Sequence, residues 1–390
     1  REVADWPSPV KAVAPAARAH LLSDALIPAS VTDHWREREE PDAQALDGVS
    51  LIEAESERAE AGMIALKLRE ILEIDGKTSA LVTPDRALAR RVSAELGRWG
   101  IEIDDSAGQP LAETPSGTFL RLCARVAADG LAPVGLLSLL KHPLAAGGMA
   151  PATFRNKVRH LEQVLLRGPR PAEGLAGLRT SLSLLPPDKA NGLEDLLMRL
   201  EDAFELSLQS NARLSEHLAA HVGLAETLAS SDNETGMARL WAGEDGEALA
   251  TFVSELNDAA ENFEDIAPRD YPALFDAILA PRVHRPRYGR HPRLHIWGLL
   301  EARLQQADVM ILGGLNETSW PPEAPASPWL RRPMMAEFRL AQPERRLALT
   351  AQDFVLAAPA KGAILSRAAP SGGSLTVPSR WLLRLETLPQ

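Results

Sequence analysis

The chain has 390 residues, 45% of them hydrophobic and 24% charged, with a formal net charge of −11 and one cysteine. That length accommodates two or three domains with full hydrophobic cores, and the composition is that of a soluble globular protein, expected in the cytoplasm: no apolar run is long enough to span a membrane and nothing resembles a secretion signal. The charge argues against a protein that coats nucleic acid, while the lone Cys123 excludes internal disulfides, four-cysteine zinc sites and iron–sulfur clusters within this stretch.

The first 45 residues are rich in Ala and Pro and read as the end of an upstream domain plus a connection, and a chain that opens on Arg1 rather than Met reads as a piece of a longer protein. A strand is expected around Leu51-Ile52. Ile64, Leu68, Ile71 and Leu72 then keep the i, i+4, i+7, i+8 spacing of an amphipathic helix. Ser79–Val82 reads as a buried strand, and Thr83-Pro84-Asp85 as a helix start, with Thr83 as N-cap and Pro84 at the first helical position. That helix carries Leu88, Val92, Leu96 and Trp99 on one stripe and stops at Gly100. From about 116 to 280 the pattern is helical, strongest over 116–129, 132–141, 151–167, 188–222 and 247–265. Cys123 falls on an apolar helical stripe there, as a small buried residue would. Strands resume at Leu294–Trp297 and Val309–Leu312, the second ending at Gly313-Gly314, where a parallel strand would turn sharply into a ligand-facing loop. The tail predicts helices near 329–340 and 343–357, a strand at 363–366 and a last helix from Ser379.

Charge is uneven. Residues 232–270 hold eleven Asp/Glu against Arg239 and Arg269, whereas Pro281–Arg293 (PRVHRPRYGRHPR) holds five Arg, two His and no acid. Arg282, Arg285, Arg287, Arg290 and Arg293, with Tyr288 for stacking, suit the backbone of single-stranded DNA; the other reading pairs some of them with the acidic segment. Trp320 is a further candidate for stacking on a base, against packing in the core or at its rim. Two patterns are decoys. Gly76-Lys77-Thr78 lacks the first P-loop glycine, has Ile71 in its place, and precedes a strand instead of following one. His217 and His221 are one helical turn apart, but HLAAH lacks the glutamate of H-E-x-x-H and no third ligand is evident, so a solvated helix face is expected and no metal.

Residues 298–321, GLLEARLQQADVMILGGLNETSWP, resemble motif V of UvrD/Rep-type superfamily 1 helicases. That pattern runs roughly T-x-H-x-A-K-G-L-E, a strand, then G-x-E-E-G-x-x-P, and it registers here without a gap. At the family's His, Gly and nucleotide-contacting Glu this chain has Leu300, Leu304 and Gln306. ALVTPDRALARRVSAELGRWGI resembles the strand, R-T-N-x-Q-S-R and helix that open motor domain 2A, with Arg90 on the second arginine and Pro84 on the first. ERRLALTAQDF, residues 344–354, resembles motif VI, E-R-R-L-x-Y-V-x-x-T-R-A; Glu344 to Leu347 match, but the arginine that reaches the ATP γ-phosphate falls on Phe354 and the preceding Thr on Asp353. PSRWLLRLE, 378–386, resembles the P-S-R-F segment closing the helicase core.

The 285–321 run looks like the AddB family, the B subunits of AddAB helicase–nucleases of α-proteobacterial type. The resemblance implies a helix-rich α/β fold: a 2A-like Rossmann/RecA-like parallel sheet interrupted by a helical 2B-like insert. The expected division is 1–47 upstream end or linker, 48–145 first part of 2A, 146–280 insert and 281–390 second part. In that family the A subunit is the ATP-driven motor, while the B subunit keeps the helicase fold without motor activity, contributes to the DNA channel and to Chi recognition, and ends in an iron–sulfur nuclease domain. Neither the cysteines nor the carboxylates of that nuclease are present here. The resemblance therefore implies a non-catalytic segment of a double-strand-break repair and recombination complex, with no cofactor, guiding single-stranded DNA and docking an AddA-type motor subunit. Two alternatives stay open: a scaffold that binds protein but not DNA, and half of an active ATPase whose Walker A domain lies upstream.

Overall fold

A computed structural model describes residues 16–36, 43–205, 210–260, 263–285, 291–323, 328–371 and 373–388. The chain divides into two compact units, Arg1–Ala107 with Arg287–Gln390, and Gly108–Pro286. The first is built on a six-stranded parallel sheet: β1 Val49–Ala54, β2 Ser79–Val82, β3 Asp104–Asp105, β4 Leu294–Trp297, β5 Val309–Leu312 and β6 Gly362–Ala368, in the spatial order β1-β6-β5-β2-β4-β3.

β2 is buried along its whole length because β5 and β4 flank it and helices cover both faces, so it reads as a continuous apolar run. Its side chains alternate between two cores. Leu81 meets Ile311, Ile296 and Ile364 beneath α2 (Glu57–Leu72) and α3 (Arg86–Gly97). Ala80 and Val82 meet Trp297, Met310, Leu312 and Leu365 on the other face, which is covered by α1 (Ala16–Ala25) and the helices Pro343–Ala357 and Arg380–Thr387.

The expected helix around Ile64 begins at Ser56, whose hydroxyl accepts from Ala59 N. The next helix starts two residues later than its sequence suggested. Asp85, not Thr83, is the N-cap, because its carboxylate accepts from both Ala87 N and Leu88 N, while the Thr83 hydroxyl accepts from Asp85 N. Trp99 falls beyond that helix, half exposed beneath the Arg69 guanidinium, rather than on the buried stripe.

The N-terminal stretch read as an upstream end is part of this unit. In Ala16–Ala25, Leu22 enters the sheet core, and buried Arg18 donates to the carbonyls of Ala45 (3.0 Å), Asp47 and Ala360.

The second unit is helical, as its sequence pattern predicts, but it begins at Gly108 rather than 146. Gln109–Pro110 pairs antiparallel with Val283–His284, drawing together the two ends of the insert. Helix Pro115–Ala128 then buries Phe119, Leu120 and Cys123 in one core with Leu224, Phe252 and Phe275. Burial drives the Cys123 thiol pKa upward, leaving it an unreactive core group. The continuous helix expected over 188–222 is instead Leu193–Phe204 and Leu214–Ala229.

Candidate functional site

Open α/β sheets hold ligands outside the C-terminal ends of their strands, and here that end is built from the loops after β5 and β6. A side chain at Gly313 would crowd the core: a Cβ would come within 2.8 Å of Leu81 Cδ1 and 3.0 Å of Leu88 Cδ2, and those buried leucines would have to shift. Gly314 follows with φ +75°. The Gly314 amide donates to Glu60 Oε1 (2.9 Å), and so does the Ser366 hydroxyl (2.8 Å), so one α2 carboxylate ties together two strand ends. Burial pushes the Glu60 pKa up, and those two donors oppose the shift.

Beyond Gly314, Asn316 donates to Ala368 O (3.0 Å) and accepts from Arg367 Nε (3.1 Å), while Arg367 reaches Glu53 (2.5 Å). Glu317 accepts from Arg380 Nε and Nη2 (3.0 and 2.9 Å) and from its backbone amide (2.8 Å). Thr318 holds φ +75°, a conformation unfavourable to a β-branched residue. A cavity of about 140 Å³ at this rim is lined by Glu57, Glu60, Asp85 and Glu317, with Arg91 paired to Glu57 (2.6 Å). Glu57 and Glu317 are paired to arginines and Asp85 caps α3, so the rim's charges are engaged within the protein.

The positions that the resemblance assigns to ATP are occupied as follows. Leu300 and Leu304 lie on or just past the short helix Leu299–Ala302 and are 67% and 94% exposed; Gln306 is also exposed. Arg303, between them, donates to both oxygens of nearly buried Asp353 (2.5 and 3.2 Å), which raises the guanidinium pKa. Phe354 is completely buried, edge-on to Trp320 with ring centroids 5.9 Å apart. It belongs to the sheet-facing side of its helix, where a side chain meets protein rather than ligand.

The arginines of the 282–293 stretch have different surroundings. Arg282 pairs with Glu255 (3.0 Å) and lies over the Phe252 ring, and His284 approaches Glu244 (3.6 Å); both acids belong to the 232–270 segment. Arg293 donates to the carbonyls of Ile74 (3.0 Å) and Leu72 (3.2 Å), closing the C-terminal end of α2. Arg285 is exposed, while Arg287, Tyr288 and Arg290 lie outside the described residues. Trp320 is not a stacking surface: it is fully buried, and its indole N–H donates to Gly313 O (3.0 Å).

The decoys have structural roles. The Thr78 amide and hydroxyl both donate to Asp308 Oδ2 (2.9 Å each), pinning the turn before β2. His217 and His221 are buried, not solvated. His221 Nε2 donates to Leu120 O (2.7 Å) while its Nδ1 accepts from Tyr271 OH (2.9 Å), and His217 stacks on Tyr271 and bonds Ile266 O. No group of potential metal ligands occurs among the described residues.

Glu60 escaped the sequence reading, although its spacing was a signal: a carboxylate on the same stripe as Ile64 and Leu68 must be buried and needs donors. Arg367 and Asn316 carried no comparable signal, because their partners are distant in sequence.

No protein-family model matches the chain. It is 24% identical over 160 residues to an uncharacterized protein of Rickettsia felis and equally to one of Rickettsia conorii, and each match covers 41% of this chain. The matched stretch is 19% of each relative, so the similarity spans about a fifth of their length.

Proposed function

We propose that this chain is a non-catalytic, helicase-like segment of a DNA double-strand-break repair subunit of the AddB family, one that guides single-stranded DNA and docks a motor subunit. The observation that carries the reading is the pairing of the two degenerate motifs. The motif V-like and motif VI-like helices are joined by Arg303 and Asp353, and Phe354 fills the core beside Trp320 where the family has its γ-phosphate arginine. A motor that closes on ATP needs charged groups free to meet phosphates, and replacing them with internal contacts removes the engine while leaving the sheet and its loops. The acid-lined rim at Glu57, Glu60, Asp85 and Glu317 supports the same reading, as does a helical unit inserted between β3 and β4.

A second reading, a protein scaffold without DNA binding, is favoured by one observation: Arg282 and His284 face Glu255 and Glu244 instead of being held out for a ligand. Calorimetric titration of the chain with Mg-ATP, alongside a hydrolysis assay, tests the shared core of both readings. No binding and no turnover are expected; saturable binding with hydrolysis would return the chain to the active motors.

A further inference from the structure

Residues 329–346 form an exposed face with five arginines against Glu337 and Glu344, in a chain whose net charge is −11. Two helices shape it, Arg332–Glu337 and Pro343–Ala357, and the Arg332–Glu344 ion pair (3.1 Å) joins their first turns. That pair brings the chain positions of Arg331 and Arg345, its sequence neighbours, close to one another. Arg331, Arg339, Arg345 and Arg346 are exposed and make no ion pair among the described residues. Rings flank the first helix: Trp329 before it is 86% exposed and Phe338 at its C-cap 65%.

Arg339 supplies an independent observation. Leu340 N donates to Met335 O (2.8 Å) and Arg339 N to Ala336 O (3.0 Å), a Schellman ending that puts Arg339 at φ +55°. Glycine is the residue that takes this position without strain, so the guanidinium is kept against the local backbone preference.

We propose that this face is a contact surface for single-stranded nucleic acid, with phosphates on Arg331, Arg339, Arg345 and Arg346 and bases stacked on Trp329 and Phe338. The inference rests on the strand-guiding reading above and moves the contact from the 282–293 stretch to the 329–346 face. Unpaired guanidiniums beside exposed rings are what a sequence-tolerant single-strand site requires, since every base has a π-face and every nucleotide a phosphate.

The test is fluorescence anisotropy of a labelled oligo-deoxythymidine against the whole chain across a salt series. Four phosphate contacts on a single strand give a log–log salt slope of about −2.8, so a fourfold rise in salt weakens binding roughly 50-fold. Arg331→Gln, Arg339→Gly, Arg345→Gln and Arg346→Gln together are expected to abolish most of that slope. Trp329→Ala with Phe338→Ala is expected to weaken binding about 30-fold or more with the slope unchanged. Circular dichroism confirms that the variants fold. Should the quadruple variant bind as well as wild type while Arg285→Gln, Arg287→Gln and Arg290→Gln lose binding, the strand lies on the 282–293 stretch; this inference is then wrong and the guiding function stands. Absence of wild-type binding at low salt overturns both. Poly-L-glutamate displacing the oligonucleotide at equal charge concentration overturns the nucleic-acid assignment in favour of an acidic protein partner.

Discussion

His221 links the pH to the stability of the helical unit. Its ring is fully enclosed, with Nε2 donating to Leu120 O, Nδ1 accepting from Tyr271 OH, and its edge against Phe275 at 4.9 Å between centroids. Burial lowers its pKa to about 4 from an ordinary 6.5. The unfolded chain therefore holds more protons than the folded one between those two values, and stability rises with pH across that window. The neutral imidazole's contribution is complete above pH about 6.5, falls on acidification, and is gone below about 4; at about 1.4 kcal/mol per unit it amounts to about 3 kcal/mol. Urea denaturation followed by far-UV circular dichroism reads the helices of both units, and the part of the transition that tryptophan fluorescence does not share reads the helical unit. Tryptophan fluorescence reads mainly the sheet unit, because Trp241 is the single tryptophan of Gly108–Pro286. His221→Gln keeps a donor and an acceptor but cannot titrate. It is expected to lose about 1 kcal/mol at neutral pH through the missing ring contact, and then to show a flatter acid limb than wild type by about 2–3 kcal/mol. Equal acid limbs in the two proteins would show that some other group carries the pH dependence and refute the reasoning.

Two further substitutions test the packing around Asp353 and Phe354. Arg303→Leu strands the nearly buried Asp353 carboxylate and is expected to cost about 2 kcal/mol, less than a fully buried pair because a third of the Arg303 side chain remains in water; adding Asp353→Leu should recover most of it in urea titrations. Trp320→Phe removes the indole donor to Gly313 O and part of the ring that packs on Phe354, at about 2 kcal/mol, and is expected to leave oligonucleotide affinity unchanged; a drop in affinity with normal stability would restore Trp320 to the nucleic-acid surface.

The sheet was legible because its central strands are buried on both faces. Ser79–Val82, Leu294–Trp297 and Val309–Leu312 each present a short apolar run, and Gly313-Gly314 marks the turn. The limits of the insert were not. A helix's apolar stripe says that one face is buried, not against which core, so Phe119 and Leu120 could be assigned to either unit until their contacts with Leu224 and Phe275 were seen. Partner choice was hidden in the same way. Arg282 and Glu255 are charges of opposite sign in neighbouring segments, and only three-dimensional proximity distinguishes a mutual pair from a groove awaiting phosphates. At the rim, the resemblance sets Phe354 where the helicase pattern has its γ-phosphate arginine, but the ion pair that the neighbouring Asp353 makes with Arg303 has no signal in the sequence.

That ion pair bears on what kind of remnant the proposed reading describes. A nucleotide-driven cycle requires the groups at a cleft to exchange one set of partners for another, and the free energy of exchange must lie within reach of ligand binding. Arg303 and Asp353 satisfy each other, Phe354 and Trp320 fill one another's packing shell, and Glu60 satisfies Gly314 and Ser366 together. Opening any of these leaves a nearly buried carboxylate or a cavity, each costing on the order of 2–5 kcal/mol. A single arginine restored at Phe354 would not recover a motor, because its neighbours are already committed to one another. It would put a charge into the sheet core, and Phe354→Arg is expected to destabilise the sheet unit by more than 3 kcal/mol without conferring ATP binding. Retained stability together with nucleotide binding in that variant would mean that the helix can rotate its buried side into the cleft, and the proposed loss of motor chemistry would then be a matter of one residue.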